Sequence, residues 1–478
     1  MKMSEPKRLH PISAVANFFK QLKELIVPFL VFIVFGFKNS NWDLFYLIGS
    51  AAVVLLVLAG GILKWLRFTY RIEEGELRIE YGVFVRKKRY IPFERIQSLD
   101  FSEGILHRPF GLVKVKVETA GTSGTQEAEA TLTAITKAEA AAIQAELTAE
   151  KGSGDGEKEE ARISGQDIYK ISPGQLLLLA STSGGAGVVI SAVIAFFFQF
   201  EEIIPYEALF HRFEHFAENG VIFISGAVFL LLLLAWVIAV IGTMLKYAGF
   251  TVRREEDDLV ISRGLLEKRQ LTIPLHRIQA LRFSENPARQ PLGFGTLYVE
   301  SAGGSAVDRD SAKVMLLPLI QRNELGEMIG HHFTDYNAGI ELAGLPKRAL
   351  PRYLLRGLLF AALFIIVPPA IFRPWGFLSL LLLLPAVVWS FLKFRAAGWH
   401  ISGSQLTLRY RTFSKHTVYM MKNKVQSLSL KESRFQRRKQ LATVEATVKS
   451  GSGGSGGKAA DLDISDAEQI YEWYSREK

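Results

Sequence analysis

Three stretches of this 478-residue chain hold residue types that could do chemistry. The first is HRFEH, His211–His215. Two histidines four apart on a helix can share a metal, with Glu214 as base, in the H-x-x-E-H arrangement of one zinc-protease class. The flanking residues favour another reading. Leu209, Phe213 and Phe216 make an apolar stripe, so His211 and His215 fall on the polar side of a helix lying at a membrane surface. The other histidines are scattered, and nothing marks a third ligand.

The second stretch is GSGGSGGK, Gly451–Lys458, which satisfies both G-x-G-x-x-G and G-x-S-x-G. A dinucleotide site needs a strand, a helix and a βαβ unit around such glycines, and the surrounding sequence has none. Lys458 is followed by Ala459 rather than Ser or Thr, which excludes a P-loop. A strand-to-strand loop is expected here.

The third is a set of basic clusters: Arg86, Lys87, Lys88 and Arg89; Lys268 and Arg269; and Arg437, Arg438 and Lys439. Near a membrane each such residue attracts anionic lipid by about 1 kcal/mol. The same residues also obey the bias of basic side chains toward the cytoplasmic side. They are the candidate contacts for lipid or for a partner. Nucleic acid is not expected, because the net charge of +10 is divided among membrane-proximal sites with no aromatic platform between them. The chain has no cysteine, which excludes disulfides, thiolate metal sites and Cys nucleophiles. No catalytic constellation remains, so neither an enzyme nor a cofactor is expected.

The elements that carry these stretches alternate between membrane and water. A helix needs about 20 apolar residues to cross the hydrocarbon core. Leu44–Leu63, Leu176–Phe200 and Val221–Leu245 meet this, Trp375–Leu392 is close, and Leu25–Phe37 and Leu358–Phe372 are shorter and contain prolines. Each short run lies just before a good one, so we expect three hairpins and six spans. Basic residues gather at the open ends of the hairpins, which puts both termini and the polar segments in the cytoplasm. No ionisable residue lies deep in a span. Lys64, Lys246 and Arg356 sit near span ends and can snorkel. Ser181–Gly187 is small-sided and suits a close helix contact or, less commonly, a substrate path.

Between the hairpins one phrase recurs. YIPFERIQSLDFSE (Tyr90–Glu103) returns as TIPLHRIQALRFSE (Thr272–Glu285) and YMMKNKVQSLSLKE (Tyr419–Glu432). Gln97, Gln279 and Gln426 fall in register, as do Pro92, Pro274 and Met421. These glutamines suit a side chain satisfying buried backbone. Period-two alternation marks six or seven half-buried strands per copy, and a helix follows. Thr136 with Glu139, and Ser465 with Glu468, read as capping boxes, whereas Gln321 lacks that signal. On these last helices Leu325, Met328, Ile329 and His332 share one face, and so do Ala467, Ile470, Tyr471 and Tyr474. The expected fold class is a mixed α and β membrane protein: hairpins within 1–67, 173–248 and 351–396, each followed by a small β-barrel or sandwich with a C-terminal helix at 68–150, 249–335 and 397–478, with linkers at 151–172 and 336–350.

G-[VL]-[FL], a basic run, IP-x-x-[RK]-I-Q-[SA]-L, P-[FL]-G-[LF] and V-E-[TS]-A-G together resemble the bacterial PH-like domain. The whole arrangement resembles the YdbT-like multi-pass membrane proteins. Copy three departs, with Met421 for the proline and Gln440 where Gly111 and Gly293 stand, which puts the P-x-G turn in question there. The resemblance implies a PH-like fold on a bacterial plasma membrane, often beside a smaller membrane protein with one such domain. A role in envelope stress or antimicrobial resistance rests on that analogy alone. Phosphoinositide reading by better-known PH domains uses a basic first hairpin loop. The loops here, EEGE, RREEDD and SGSQ, are acidic or neutral, so that function is not carried over. The expectation is a membrane-anchored binding or scaffold protein whose partner is membrane lipid, another membrane protein or a second copy. A transporter or channel component is the alternative.

Overall fold

A computed structural model describes residues 6–15, 17–18, 43–73, 75–119, 130–151, 166–184, 220–301, 313–371, 375–450 and 454–475. The chain forms two compact units, Met1–Gln166 with Arg253–Pro274, and Asp167–Val252 with Leu275–Lys478.

The first unit contains module one. Its strands are β1 (Lys7–Arg8), β2 (Thr69–Glu73), β3 (Glu76–Tyr81) and β4 (Lys87–Pro92), paired in the order β1-β2-β3-β4. Helix α1 (Asp43–Leu66) lies between β1 and β2 in the chain. Then come β5 (Ile96–Glu103), β6 (Leu112–Thr119), β7 (Ala130–Thr136) and α2 (Lys137–Lys151). The alternation in β3 explains its setting: Leu77 and Ile79 are buried, while Glu76 and Arg78 form an ion pair outside. Ile91, Val115, Val117, Leu132 and Ile143 complete one core with them. Each such side chain contributes about 1.5–3 kcal/mol on burial. The capping box forms as expected: the Glu139 amide donates to Thr136 Oγ1 (3.2 Å), and the Thr136 amide donates to Glu139 Oε2 (3.1 Å). The Trp65 indole at the end of α1 donates to the Leu9 carbonyl at 2.7 Å, tying the helix to the segment after β1.

Module two supplies β8 (Gln166–Lys170), α3 (Pro173–Ser181), α4 (Gly220–Tyr247), β9 (Thr251–Glu255), β10 (Asp258–Arg263), β11 (Lys268–Pro274), β12 (Ile278–Glu285), β13 (Phe294–Ser301), β14 (Lys313–Gln321) and α5 (Arg322–His332). Its strands β10 and β11 lie in the first unit, and β12 to β14 lie in the second. As the sequence indicates, Gln321 makes no side-chain cap. Leu325 and Ile329 are buried, with Met328 and His332 half-buried beside them. The start of α3 carries a capping box from Ser172 and Gln175 that the sequence reading missed.

Module three follows with β15 (Ala343–Gly344), α6 (Leu350–Ile371), α7 (Leu383–Ala396), β16 (Gly398–Ser402), β17 (Gln405–Arg411), β18 (Lys415–Met421), β19 (Val425–Lys431), β20 (Leu441–Val448), β21 (Ser455–Asp463) and α8 (Ile464–Ser475). Among the described residues each module thus has seven strands, the first placed before the membrane segment, and then a helix. Leu406, Leu408, Val418, Val444, Leu462 and Ile470 form the third module's core.

Several expectations need correction. Among the described residues three helices are long and apolar enough to cross a membrane: Val228–Tyr247, Lys347–Pro369 and Gly376–Ala396. The span expected at Leu44–Leu63 lies within the continuous 24-residue helix α1, in which Leu55–Leu66 is an apolar stretch. Leu25–Phe37 and most of Leu176–Phe200 lie outside the described residues, so six spans are not established. The last two helices do pair: Ser379 Oγ donates to the Ile365 carbonyl (2.8 Å), and Gly357 faces Ser390.

At α8 the cap is Asp463 rather than the expected Ser465 with Glu468. The helix begins at Ile464, and Asp463 Oδ1 accepts from the Ser465 hydroxyl (3.1 Å) and amide (3.4 Å). The carboxylate lies nearer the first unsatisfied amides and takes the cap. Tyr471 is exposed, and Trp473 packs on the core beside Tyr474.

The glycine run at Gly451–Lys458 is not all loop. Ser455–Lys458 open β21, with Gly456 opposite Thr447 and Gly457 opposite Ala446. A Cβ on Gly456 would lie 1.9 Å from the Ala446 carbonyl oxygen, so the strands approach this closely only with glycine there. Gln440 has φ +51°, close to Gly111 (+61°) and Gly293 (+74°), so the turn survives without its glycine. Met421 holds the extended backbone that Pro92 holds.

Candidate functional site

Strands at the edge of a sheet expose unpaired amides and carbonyls and therefore recruit another strand. This chain uses that property twice, each time within one of its compact units. In the first unit β5 of module one pairs antiparallel with β11 of module two, placing Glu103 opposite Lys268, Ser102 opposite Arg269, Phe101 opposite Gln270 and Asp100 opposite Leu271. In the second unit β12 of module two pairs with β18 of module three, placing Glu285 opposite Lys415, Ser284 opposite His416 and Phe283 opposite Thr417. In repeat register Glu103 corresponds to Glu285, and Lys268 to Lys415. The two joints therefore share one register, and each ends on a glutamate facing a lysine.

Side chains reinforce both joints. Arg108 in the turn before β6 donates to the Leu265 carbonyl at 2.7 Å. In the second joint Arg411 donates to Gln290, which stands at Arg108's repeat position, at 2.5 Å. Glu285 is buried and binds two cations, Lys415 (2.5 Å) and Arg322 (Nε at 2.9 Å). Burial holds the Lys415 ammonium below its usual range despite the glutamate beside it, because Arg322 and Arg409 are also near.

The middle of β12 carries a second polar knot. Arg282, 3% exposed, donates to Glu300 on β13 (2.5 Å), to the Tyr410 hydroxyl on β17 (2.6 Å) and to the Gly456 carbonyl on β21 (2.7 Å). It thus fastens module two to both sheets of module three. Burial works against the Arg282 charge, and Glu300 and Tyr410 more than offset it, raising its pKa. Ala280 of β12 lies within module three's core.

The predicted basic residues fall into this frame unevenly. Lys268 and Arg269 sit at the first joint, where Arg269 also pairs with Glu267 at 3.0 Å. Arg86 immediately precedes β4, and Lys87, Lys88 and Arg89 open it, at the outer edge of the first sheet. There Arg86 and Lys88 both reach Glu80, and Arg89 lies over the Tyr81 ring at 5.7 Å. Arg437, Arg438 and Lys439 are exposed on the connection from β19 to β20, with Arg437 3.5 Å from Glu432. Arg86–Arg89, Lys268 and Arg269 belong to the first unit, and Arg437, Arg438 and Lys439 to the second.

Gln279 is buried and donates to the Arg277 carbonyl (3.1 Å), whereas Gln426 is exposed and the Gln97 side chain lies outside the described residues. Pro92 and Pro274 each end a strand before a 3-10 turn. His211–His215 also lies outside the described residues.

Two sheets with a closing helix, built three times, suit comparison with known domains. The family described as "Bacterial PH domain" matches residues 26–151, 190–331 and 356–478. The chain belongs to the bacterial PH domain family. It is 38% identical over 494 aligned positions to the UPF0699 transmembrane protein YdbT of Bacillus subtilis (strain 168), covering 100% of this chain and 99% of that relative. A further similarity, 32% over 77 residues, is to the UPF0699 transmembrane protein YdbS of the same organism, covering 16% of this chain and 46% of that protein. No solved structure matches. Its likeness to a transmembrane protein along its full length and its three apolar helices make this bacterial PH protein a membrane protein.

PH modules meet the apolar helices at several places among the described residues, one in module three and one in module one bearing on function. In module three, Asp461 is fully buried with φ +58° and is bound by Arg352 of α6 (2.8 Å), by Arg356 of α6 and by Gln436 (2.9 Å). Arg356, expected to snorkel, is held by this carboxylate instead, because a buried charge needs a partner. In module one, a cavity of about 630 Å³ lies between Leu56, Leu63 and Lys64 of α1 and Val83 and Phe84 of the β3–β4 turn.

Proposed function

We propose that this protein is a non-enzymatic scaffold of the bacterial plasma membrane, with three cytoplasmic PH modules that bind a partner membrane protein through their sheet edges. The observation that carries the reading is the joint itself. One antiparallel register, ending on a Glu–Lys pair, connects modules one and two and again modules two and three. Strand addition draws affinity from main-chain hydrogen bonds and specificity from alternate side chains. Its repetition argues that these modules are built to bind one another. Membrane anchoring supports this, since tethered modules meet at high effective concentration. The full six-span topology, with both termini inside, belongs to this proposal.

A second reading rests on the module-one cavity. Its apolar walls, with Lys64 at the end of α1, suit an acyl chain and an anionic headgroup. Replacing Arg86, Lys87, Lys88 and Arg89 together by serine tests between the two. Loss of partner protein from the extracted complex, with insertion intact, supports the scaffold. Unchanged protein content with loss of bound anionic lipid supports the lipid reading.

A further inference from the structure

The two internal joints use β5 of module one, β11 and β12 of module two and β18 of module three. Two edges of the same kinds are left. Among the described residues β4 is the last strand of the order β1-β2-β3-β4 and pairs only with β3. Likewise β19 is the first strand of β19-β20-β21 and pairs only with β20. By repeat position β4 corresponds to β11 and β18, the strands that receive a neighbour. By the same measure β19 corresponds to β5 and β12, the strands that reach for one. Among the described residues, one strand of the β11 and β18 kind and one of the β5 and β12 kind are therefore left without a neighbour from another module.

Burial differs among these strands: β12, covered by β18, is buried at all but one of its positions, β5, covered by β11, is buried at Ile96 and Leu99 and half-buried from Asp100 to Glu103, and β19 is buried at Val425 with Gln426, Ser427 and Lys431 exposed. The edges are also charged in a complementary way. Extending the shared register to β19 and β4 puts Glu432 opposite Arg86, where the internal joints put Glu103 opposite Lys268 and Glu285 opposite Lys415. Leu430 then faces Lys88, as Phe101 faces Gln270 and Phe283 faces Thr417. Lys431 faces Lys87, but Lys431 is already matched to Glu445 at 3.0 Å.

We propose that β19 of one copy pairs with β4 of a second copy, in the register of the internal joints, so that the protein assembles head to tail in the membrane. Such a contact is heterologous, and it closes into a ring or continues as a row. The inference rests on the scaffold reading and deepens it by naming the partner and the strands. The lysines of β4 act as a guard against unselective pairing, and in this register Glu432, just past the end of β19, meets Arg86, just before β4.

The chain has no cysteine, so a disulfide pair can be placed without background. Two differently tagged full-length chains, one Leu430→Cys and the other Lys88→Cys, are co-expressed and mildly oxidised in their own membrane. Directly opposed strand residues stand within the roughly 4.4–6.8 Å that a disulfide needs. A product of twice the chain mass carrying both tags is expected. Phe84→Cys, fully exposed but in the turn before β4 and outside the paired strand, should give little of it. Equal product from both pairs would mean random collision, and no product from either would mean that the edges do not meet; each overturns the proposal. Linkage of Leu430→Cys to a different protein also overturns it, while leaving the scaffold reading standing. If partner protein is absent from the unmodified extract as well, the scaffold reading falls with it.

Discussion

Glu285 on β12 and Lys415 on β18 face each other across the joint between modules two and three, 2.5 Å apart and both shielded from solvent. Glu103 and Lys268 repeat that placement at the other joint. The pair marks the register in which these PH modules bind one another.

Removing the carboxylate should be costly. Glu285→Gln leaves Lys415 and Arg322 without their anion, and breaking a buried pair typically costs about 3–5 kcal/mol. A lower melting temperature and earlier proteolysis between Pro274 and Lys415 are expected. The double replacement Glu285→Leu with Lys415→Met should recover most of that loss, because it leaves no buried charge of the pair unmatched.

Asp461 anchors module three to α6. Asp461→Asn would remove the partner of Arg352 and Arg356 while keeping the shape, with a loss of about 3 kcal/mol or more. Hydrogen exchange should rise in β21 and in the first turns of α6. Unchanged protection there would show that apolar packing alone holds the module to the helix.

His416 should make the protein acid-sensitive. Burial, together with Arg282, Lys313 and Arg411, pushes its pKa down from 6.5 to about 4. The unfolded chain therefore takes up a proton below about pH 6.5 that the folded chain does not take up until about pH 4. Stability from this group is present above 6.5 and lost as the pH falls toward 4. Melting temperature measured from pH 7 to pH 4.5 should fall less steeply in His416→Gln than in the parent.

The repeat was legible because its signals are local. Strand alternation in β3, the Thr136–Glu139 box and the buried face of α5 are all read within a few residues. The joints were not. Pairing β5 with β11 brings together residues more than a hundred positions apart, and sheet edges carry no local signature of their partner. The one trace was the charge at matched repeat positions: Glu103, Glu285 and Glu432 against Arg86, Lys268 and Lys415. The basic cluster at Arg86 reads in the sequence as a contact for lipid or for a partner, and its place on an outer strand edge emerged only with the fold. Gln440 hid its turn because a non-glycine residue occupies a left-handed backbone position there. Asp461 gave no warning that a buried carboxylate would hold two arginines from a membrane helix.

The most direct test of the scaffold is native mass spectrometry of the full-length protein extracted gently from its own membrane. The account predicts a species heavier than one chain by the mass of at least one further protein. A single chain carrying only lipid-sized additions would contradict it and would turn the account toward lipid handling.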